Sequence, residues 1–225
     1  MTKVLNISHI IIAALIFNFA VAISAIGAPT TKPIKLIAFG DSLTAGYGLP
    51  RNAAFPVQLE KSLKAQGHNV QISNAGISGD TASGGLARLD WAIPKGTDAV
   101  ILELGANDAL RGVTPSKTRD SLDKIMARLK ARDIPVLITG MIAPQGMGDE
   151  FGEAFNSIFS DLAKKYNALH YPFFLNGVAL DPKLNQPDGI HPTTKGVAII
   201  VEKIQPSVIK LIRRVKAKTP AITTN

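Results

Sequence analysis

The chain has 225 residues, 46% of them hydrophobic, and a formal net charge of +8. This length and apolar content suit one domain with a sizeable core. The sequence contains no cysteine, which excludes disulfides, Cys-containing metal sites and a lipid-modified cysteine behind a leader. It also shows no internal repeat, low-complexity tract or linker that would separate a second domain.

The N-terminal segment has the layout of a secretory leader. One cation, Lys3, precedes an apolar run over residues 10–26, and small residues and the polar sequence PTTKP follow that run. This order of regions is typical of a signal peptide, although the run is also near the lower length limit for an uncleaved membrane anchor. We predict a signal peptide over residues 1–28 and therefore a periplasmic or secreted protein.

Apolar segments alternate with amphipathic ones along the rest of the chain. We predict five strands, at Ile34–Phe39, Val70–Asn74, Ala99–Leu104, Pro135–Thr139 and Leu169–Phe174. Helical patterns lie at about 54–66, 116–131, 152–166 and 194–215. Strands that alternate with helices favour a parallel sheet covered on both faces. The sequence therefore predicts one doubly wound α/β domain over residues 29–215, followed by a basic and polar tail at 216–225.

The basic residues near the C-terminus have two interpretations. The last helix and the tail carry Lys210, Arg213, Arg214, Lys216 and Lys218. A basic helix end can attract nucleic acid or an anionic membrane surface. Cations also stabilise the C-terminus of a helix without any partner. We favour the second interpretation and expect no nucleic-acid partner, while a transient contact with a membrane surface stays open.

Four polar or glycine-rich segments lie where open α/β sheets place their ligands, beyond the carboxyl ends of the strands. They are FGDSLTAG, NAGISGDT and LGANDALRG after the first three strands, and DGIHP before the last helix. Each segment alone has an ordinary explanation as a turn or a helix cap. Their occurrence at successive strand ends favours a common site.

The segment DGIHP contains a carboxylate and an imidazole at short range. The spacing of Asp188 and His191 can bring the carboxylate to one ring nitrogen while the other faces outward, which makes a general base with a fixed tautomer. The alternative is a solvated turn. Of the four histidines, His9 lies in the leader, His68 in a loop and His170 in a predicted strand. Only the fourth lies beside a carboxylate at the expected active edge.

Ser42 follows the first predicted strand. A serine hydroxyl becomes a nucleophile when a base takes its proton, and a serine at this point can also direct its backbone N–H at a developing oxyanion. Thr44 stands where the G-x-S-x-G elbow has its second glycine, which disfavours an α/β-hydrolase of that type. The hydroxyl could instead cap a helix, and the loop could hold a phosphate.

Two further segments offer hydrogen-bond donors. Gly79 presents a backbone N–H without side-chain obstruction, and Asn107 presents a side-chain amide. Together with the Ser42 N–H they could form a three-donor oxyanion hole, in which the loss of one donor typically costs about 3–4 kcal/mol.

The chain resembles the GDSL, or SGNH, hydrolases. The blocks FGDSLTAGYGL, NAGISGDTASGGLARL, ELGANDALRG and DGIHPTTKG look like the signature blocks of that family in order, spacing and flanking residues, over about residues 34–208. Within the family, the chain is most similar to the small secreted arylesterase, acyl-CoA thioesterase and lysophospholipase type. The resemblance implies a flavodoxin-like three-layer sandwich with a five-stranded, mostly parallel sheet. It also implies that this SGNH hydrolase domain needs neither a metal nor another cofactor.

The resemblance also implies a role for each candidate residue. Ser42 would be the nucleophile, His191 the base and Asp188 the residue that orients the base. The Ser42 N–H, Gly79 and Asn107 would stabilise the oxyanion. The implied enzyme is a serine esterase that hydrolyses aryl and acyl esters, acyl-CoA thioesters and lysophospholipids through an acyl-enzyme on the serine.

The expected partner is a small acyl ester or thioester, and we expect the enzyme to act as a monomer. As contacts for the acyl group we name the apolar residues Leu43, Leu110, Ile142 and Met147, for which ordinary packing is an equally good explanation.

Three alternatives stay open from the sequence. A carbohydrate O-deacetylase would use the same serine chemistry. A flavin- or phosphate-binding module of flavodoxin type would explain the loop after the first strand but not DGIHP. A metal-dependent phosphoesterase would be built on Asp41, Asn107, Asp108, Asp188 and His191, and a single available histidine makes a poor divalent-metal cluster.

Overall fold

The structure is a computed structural model that describes residues 32–218. The predicted signal peptide lies outside these residues, as does most of the predicted tail. Five strands form one sheet: β1 (Ile34–Gly40), β2 (Val70–Gly76), β3 (Ala99–Glu103), β4 (Val136–Thr139) and β5 (Leu169–Tyr171). Their order in the sheet is β2-β1-β3-β4-β5, and every neighbouring pair is parallel. This confirms the predicted fold class.

Helices surround this sheet. They are α1 (Ser42–Ala45), α2 (Phe55–Ala65), α3 (Ala82–Ala92), α4 (Ala106–Leu110), α5 (Pro115–Ala131), α6 (Asp149–Tyr166) and α7 (Thr194–Lys218), with a 3-10 turn at Arg51–Ala53. The helices α2 and α7 pack against each other, and α3 and α6 both pack against α5. Among residues 32–218, none of these helices has the length and apolarity needed to cross a membrane.

The core lies between the central strands and the helices. All five residues of β3 are buried, and β1 is buried from Leu36 to its end. Strands covered on both faces have continuous apolar sequences rather than alternating ones, which is why these two strands are recognisable in the sequence. On α6, the residues Phe155, Ile158 and Phe159 form an apolar face that is also buried.

The register of the central strands positions the functional loops. Gly40 at the end of β1 lies level with Gly76 of β2 on one side and with Glu103 of β3 on the other. The chain leaves β1 toward β2 and then returns to place β3 on the opposite side of β1. Open α/β sheets bind their ligands at such a reversal of strand order. The loops after the first three strands therefore begin at one edge, close to this reversal.

Several predicted element boundaries differ from the structure by one to three residues, and the helices α1, α3 and α4 are missing from the prediction. The last strand ends at Tyr171 rather than at 174, because Pro172 has no N–H for the ladder. The helix α3 is absent from the prediction, since Gly84 and Gly85 weaken its helical signal. The last helix continues to Lys218, past the predicted end at 215.

Candidate active site

Ser42 is held at the start of a one-turn helix. Asp41 caps α1, and its Oδ1 accepts the N–H of Leu43 at 3.0 Å. At the other end of the turn, the N–H of Gly46 donates to the Ser42 carbonyl at 3.0 Å. An aspartate cap satisfies a helix N–H that would otherwise lack a partner. The serine side chain thus leaves a fixed backbone directly above the end of β1.

Asp188, His191 and Ser42 form a continuous hydrogen-bonded chain. Asp188 Oδ2 lies 2.7 Å from His191 Nδ1, and His191 Nε2 lies 2.9 Å from Ser42 Oγ. The second carboxylate oxygen, Oδ1, accepts the backbone N–H groups of Ile190 and His191, each at 3.0 Å. The backbone N–H groups of its own turn therefore fix the carboxylate, and the carboxylate fixes the orientation of the imidazole.

These contacts stabilise the ionised form of Asp188. Hydrogen bonds from the His191 backbone, the His191 side chain and the Ile190 backbone lower the pKa of Asp188 from 3.8 to about 2. Hydrogen bonds to the charged form favour ionisation. At neutral pH the carboxylate is ionised, and an ionised carboxylate stabilises a positive imidazole beside it.

Tyr47 covers the other side of the imidazole. Its ring centroid lies 4.5 Å from that of His191, with the two planes tilted by 36°. The Tyr47 carbonyl accepts the Nε2–H of Gln186 at 2.8 Å, and the same amide donates to the Pro192 carbonyl at 3.0 Å. This amide therefore ties the segment after α1 to the turn that carries the histidine. The contacts of Tyr47 with His191 and Gln186 are not visible in the sequence, because Tyr47 is far from both residues along the chain.

Gly79 and Asn107 line the same cavity as Ser42. Gly79 has a φ of +84°, a conformation that side chains disfavour, and its carbonyl accepts Arg111 Nη2 at 2.8 Å. Asn107 lies in α4, and its Nδ2 donates to Asp41 Oδ2 at 3.0 Å. An amide nitrogen has two hydrogens, so one N–H of Asn107 is left for a ligand.

Arg88 connects the strand ends with the loop that carries Gly79. It is only 6% exposed, and its guanidinium donates to the carbonyls of Gly40 and Ala75 at 2.8 and 2.9 Å. Its Nε donates to Asp80, the residue after Gly79. The cap of α3 is the next residue, Thr81, whose hydroxyl accepts the N–H of Gly84.

Asp41 has the opposite electrostatic character from Asp188. Its side chain is completely buried, and burial raises its pKa to about 6, against the lowering effect of the hydrogen bonds from Leu43 and Asn107. Glu103, at the end of β3, is its buried neighbour. Burial first, and the charge of Asp41 second, raise the pKa of Glu103 well above its ordinary value.

The cavity beside Ser42 has a volume of about 570 Å³. Its lining is mostly apolar and includes Leu43, Leu110, Met141, Ile142, Phe173, Leu175, Leu180 and Ile190. Three of the four residues named as acyl contacts are in this group. Met147 is not a lining residue, because the chain turns at residues 145 and 146 and separates it from Ile142. Met141 lies on the cavity instead.

The structure does not assemble the metal cluster considered for a phosphoesterase. Asp108 is directed away from the cavity and accepts the N–H of Ala82 at 2.8 Å and the hydroxyl of Thr118 at 3.1 Å. Among the described residues, no three His, Cys, Asp or Glu side chains are grouped so that they could hold a metal ion.

Comparison with known proteins gives consistent matches. The model of the GDSL-like Lipase/Acylhydrolase family matches residues 38–199. An arylesterase from Vibrio mimicus is 35% identical over 177 residues, which are 78% of this chain and 88% of that protein. The thioesterase 1/protease 1/lysophospholipase L1 of Escherichia coli is 37% identical over 168 residues, which are 74% of this chain and 79% of that protein. The crystal structure of AlinE4, an SGNH-hydrolase family esterase, has a TM-score of 0.68 and 42% identity, and the match covers 80% of this chain and 97% of that one.

Proposed function

The chain belongs to the GDSL-like lipase/acylhydrolase family, and from this premise we propose that Ser42, His191 and Asp188 are its catalytic triad. It is a serine hydrolase of carboxylic ester and thioester bonds. The observation that carries the assignment is the unbroken hydrogen-bonded chain from Asp188 through His191 to Ser42 Oγ, which ends at an apolar cavity. This arrangement is what a serine needs to become a nucleophile.

Attack on the substrate is the first step. His191 Nε2 lies 2.9 Å from Ser42 Oγ and takes the hydroxyl proton as Oγ bonds to the carbonyl carbon. The histidine becomes positively charged, and the ionised Asp188 at its other nitrogen stabilises that charge. The carbonyl oxygen becomes an oxyanion.

Three donors are available for this oxyanion. They are the backbone N–H groups of Ser42 and Gly79 and the N–H of Asn107 that Asp41 does not occupy. Donors fixed before the reaction stabilise the charge without reorganisation. The backbone conformation of Gly79 and the hydrogen bond from Asn107 to Asp41 fix two of these donors in advance.

Collapse of the tetrahedral intermediate completes acylation. His191 gives its proton to the leaving alcohol or thiol, and the acyl group stays on Ser42. A water molecule then attacks the acyl-enzyme, with His191 as the base again, and releases the carboxylic acid. The serine regains its proton, so the enzyme returns to its starting state.

The cavity favours an acyl or aryl ester over the alternatives. An apolar lining removes hydrocarbon from water but offers few partners for sugar hydroxyls, so a carbohydrate O-deacetylase is the weaker assignment. A phosphate-binding loop needs free N–H groups after β1, and the N–H of Leu43 is occupied by Asp41. The known relatives are named for ester and thioester hydrolysis. We therefore propose aryl and acyl esters, acyl-CoA and lysophospholipids as substrates.

The mouth of the cavity supports a transient contact with membrane surfaces. Five large apolar side chains around it are exposed: Tyr47, Leu110, Ile142, Leu180 and Ile190. An exposed apolar patch of this kind indicates a binding surface. Sedimentation with neutral phospholipid vesicles tests this, since Leu180→Asp should abolish co-sedimentation. Binding that the variant retains would contradict the proposal.

We also propose that the enzyme acts as a monomer, because the hydrogen bonds that join Asp188, His191 and Ser42 are complete within one chain. Light scattering at assay concentration should give the monomer mass, and activity confined to a larger species would contradict it.

The leader-like layout of residues 1–28 supports export to the periplasm or the medium. N-terminal sequencing of the exported protein should begin after the leader, and an intact N-terminus would argue against cleavage.

The experiment that tests the function is hydrolysis of a series of nitrophenyl esters with increasing acyl length. We expect turnover that survives a chelator and disappears in Ser42→Ala. The series also reports which acyl length fits the cavity. Turnover that is unaffected by Ser42→Ala would contradict the nucleophile assignment, and turnover lost only with the chelator would indicate a metal enzyme.

A further inference from the structure

Glu103 is a buried carboxyl group directly below the nucleophile loop. It is the last residue of β3, is 1% exposed, and lies level with Gly40 of β1. Its Oε2 accepts the hydroxyl of Thr44 at 2.8 Å and the backbone N–H of Asp41 at 3.3 Å. Its Oε1 is buried and has no hydrogen-bond partner among residues 32–218.

The surroundings of Glu103 leave it little freedom to move. A side-chain carbon added at Gly40 would collide with both Thr44 Oγ1 and a carboxyl oxygen of Glu103. The glycine is therefore required for close packing at the end of β1. The carboxyl group is wedged between this strand end and the first turn of α1.

The two buried carboxyl groups cannot both be ionised. Within residues 32–218, neither Asp41 nor Glu103 belongs to an ion pair. Two neighbouring buried carboxylates without a cation repel each other, and both lose their hydration. Asp41 accepts N–H groups on both of its oxygens, from Leu43 and Asn107, whereas one oxygen of Glu103 accepts nothing. The negative charge therefore belongs on Asp41, and the proton on Glu103.

We propose that Glu103 is a positioning residue, protonated in the active enzyme, that holds Asp41 so that Asp41 aligns the Asn107 amide toward the oxyanion. This inference rests on the proposed role of Asn107 as an oxyanion donor. The raised pKa of Glu103 is consistent with it.

The connection to catalysis passes through the geometry of the amide. One N–H of Asn107 donates to Asp41 Oδ2 at 3.0 Å. Because the amide group is planar, fixing one N–H also fixes the direction of the other. A charged acceptor makes this hydrogen bond roughly twice as strong as a neutral one. Glu103 anchors the Asp41 backbone and, by staying neutral, leaves the charge on Asp41.

The test is a double-mutant cycle with Asn107→Ala, followed by kcat and KM for a nitrophenyl ester. We expect Glu103→Ala alone to lower kcat by about 10- to 100-fold with KM nearly unchanged, because a misaligned donor loses part of its roughly 10²–10³-fold contribution. In the Asn107→Ala background, Glu103→Ala should lower kcat by no more than about threefold. An equal loss in both backgrounds would overturn the proposal, because a general structural defect does not depend on Asn107.

The neutral variant Glu103→Gln tests the protonation state and remains informative if Glu103→Ala does not fold. It keeps the shape and an acceptor for Thr44 and the Asp41 N–H, so kcat should stay within about threefold of the wild-type value. A loss of more than about tenfold in folded Glu103→Gln would show that an ionised carboxylate is needed, which would overturn the proposal.

A matched control is available on the neighbouring strand. Thr139 of β4 is also buried, and its hydroxyl donates to the Leu102 carbonyl at 3.2 Å. Thr139→Val removes a buried hydrogen bond without any link to Asn107, and its kcat should match the wild type. A loss as large as that of Glu103→Ala would overturn the specific role of Glu103.

If Asn107→Ala alone leaves kcat intact, the oxyanion assignment fails, and the role of Glu103 fails with it.

Discussion

Two aspartates, one exposed and one buried, orient the proposed catalytic groups of this enzyme. The Asp188 side chain is 38% exposed, and all its partners lie within three residues of it. Asp41 is fully buried, and its partner Asn107 is 66 residues away in the sequence. Hydrogen bonds lower the pKa of Asp188 to about 2, whereas burial raises the pKa of Asp41 to about 6.

The difference separates two ways of building a rigid site. The turn of Asp188 carries its own hydrogen-bond donors, so the base is oriented by local structure. The proposed oxyanion donor Asn107 is oriented by a carboxylate that depends on the register of β1 and β3. Changes around Asp188 should therefore affect activity much more than stability, while changes around Asp41 should affect both.

The largest effect is expected at the triad. Ser42→Ala and His191→Ala should each lower kcat by roughly 10⁴-fold or more, and Asp188→Asn should lower it less than either. Because Asp188 is partly exposed, the melting temperature of Asp188→Asn at neutral pH should fall only modestly, by the contribution that the ionised carboxylate makes to folding. Steady-state kinetics and thermal unfolding of the same preparations check both statements. Full activity in His191→Ala would refute the assignment of the base.

A smaller effect is expected on the oxyanion side. Asn107→Ala should lower kcat by about 10²–10³-fold with little change in KM, because its free N–H acts on charge that develops in the transition state. Asp41→Asn keeps an acceptor for the amide but removes the charge, so its loss of kcat should be smaller. A rise in KM at constant kcat in Asn107→Ala would mean that the amide binds the substrate rather than the oxyanion.

The smallest effect is a difference in the pH dependence of stability. A pKa lowered by folding means that Asp188 stabilises the native state above about pH 4, and that this contribution is lost as the pH falls toward 2. A pKa raised by folding makes stability change with pH in the opposite direction. The native state holds the Asp41 proton more tightly, so stability falls as the pH rises from about 4 to about 6.

Urea unfolding at several pH values between about 4 and 7 measures this second slope. In Asp41→Asn the decrease over that window should become shallower, because the titrating group is gone. Thr139→Val serves as the control, since it removes no titrating group and should leave the slope unchanged. An identical slope in the wild type and Asp41→Asn would contradict the assigned ionisation of Asp41.

The same contrast explains how much of the molecule the sequence predicts. The parallel sheet and most helices follow from apolar runs and amphipathic spacing, which are local properties. The segment DGIHP is also local, so Asp188 and His191 are recognisable before the structure is known. The contacts of Asp41, Arg88 and Glu103 depend on which residues of β1 and β3 lie level, and no local pattern contains that information.

One signal for the buried contacts of Glu103 is nevertheless present in the sequence. Strand β3 reads AVILE, so Glu103 ends an otherwise apolar segment and is followed by Leu104. A carboxyl group in such a run indicates either a strand end or a buried group with a function. The position of Met147 has no comparable signal, because the path of the loop before α6 depends on turns rather than on periodicity.

The most direct test is covalent labelling with a nitrophenyl alkylphosphonate, which phosphonylates an activated serine and releases nitrophenol. We expect one adduct per chain, located by mass spectrometry on Ser42, with nitrophenol released in equal amount. Labelling should be absent in Ser42→Ala and much slower in His191→Ala, since the base is then missing. An adduct on another residue, or labelling that persists in Ser42→Ala, would contradict the assignment of Ser42 as the activated nucleophile.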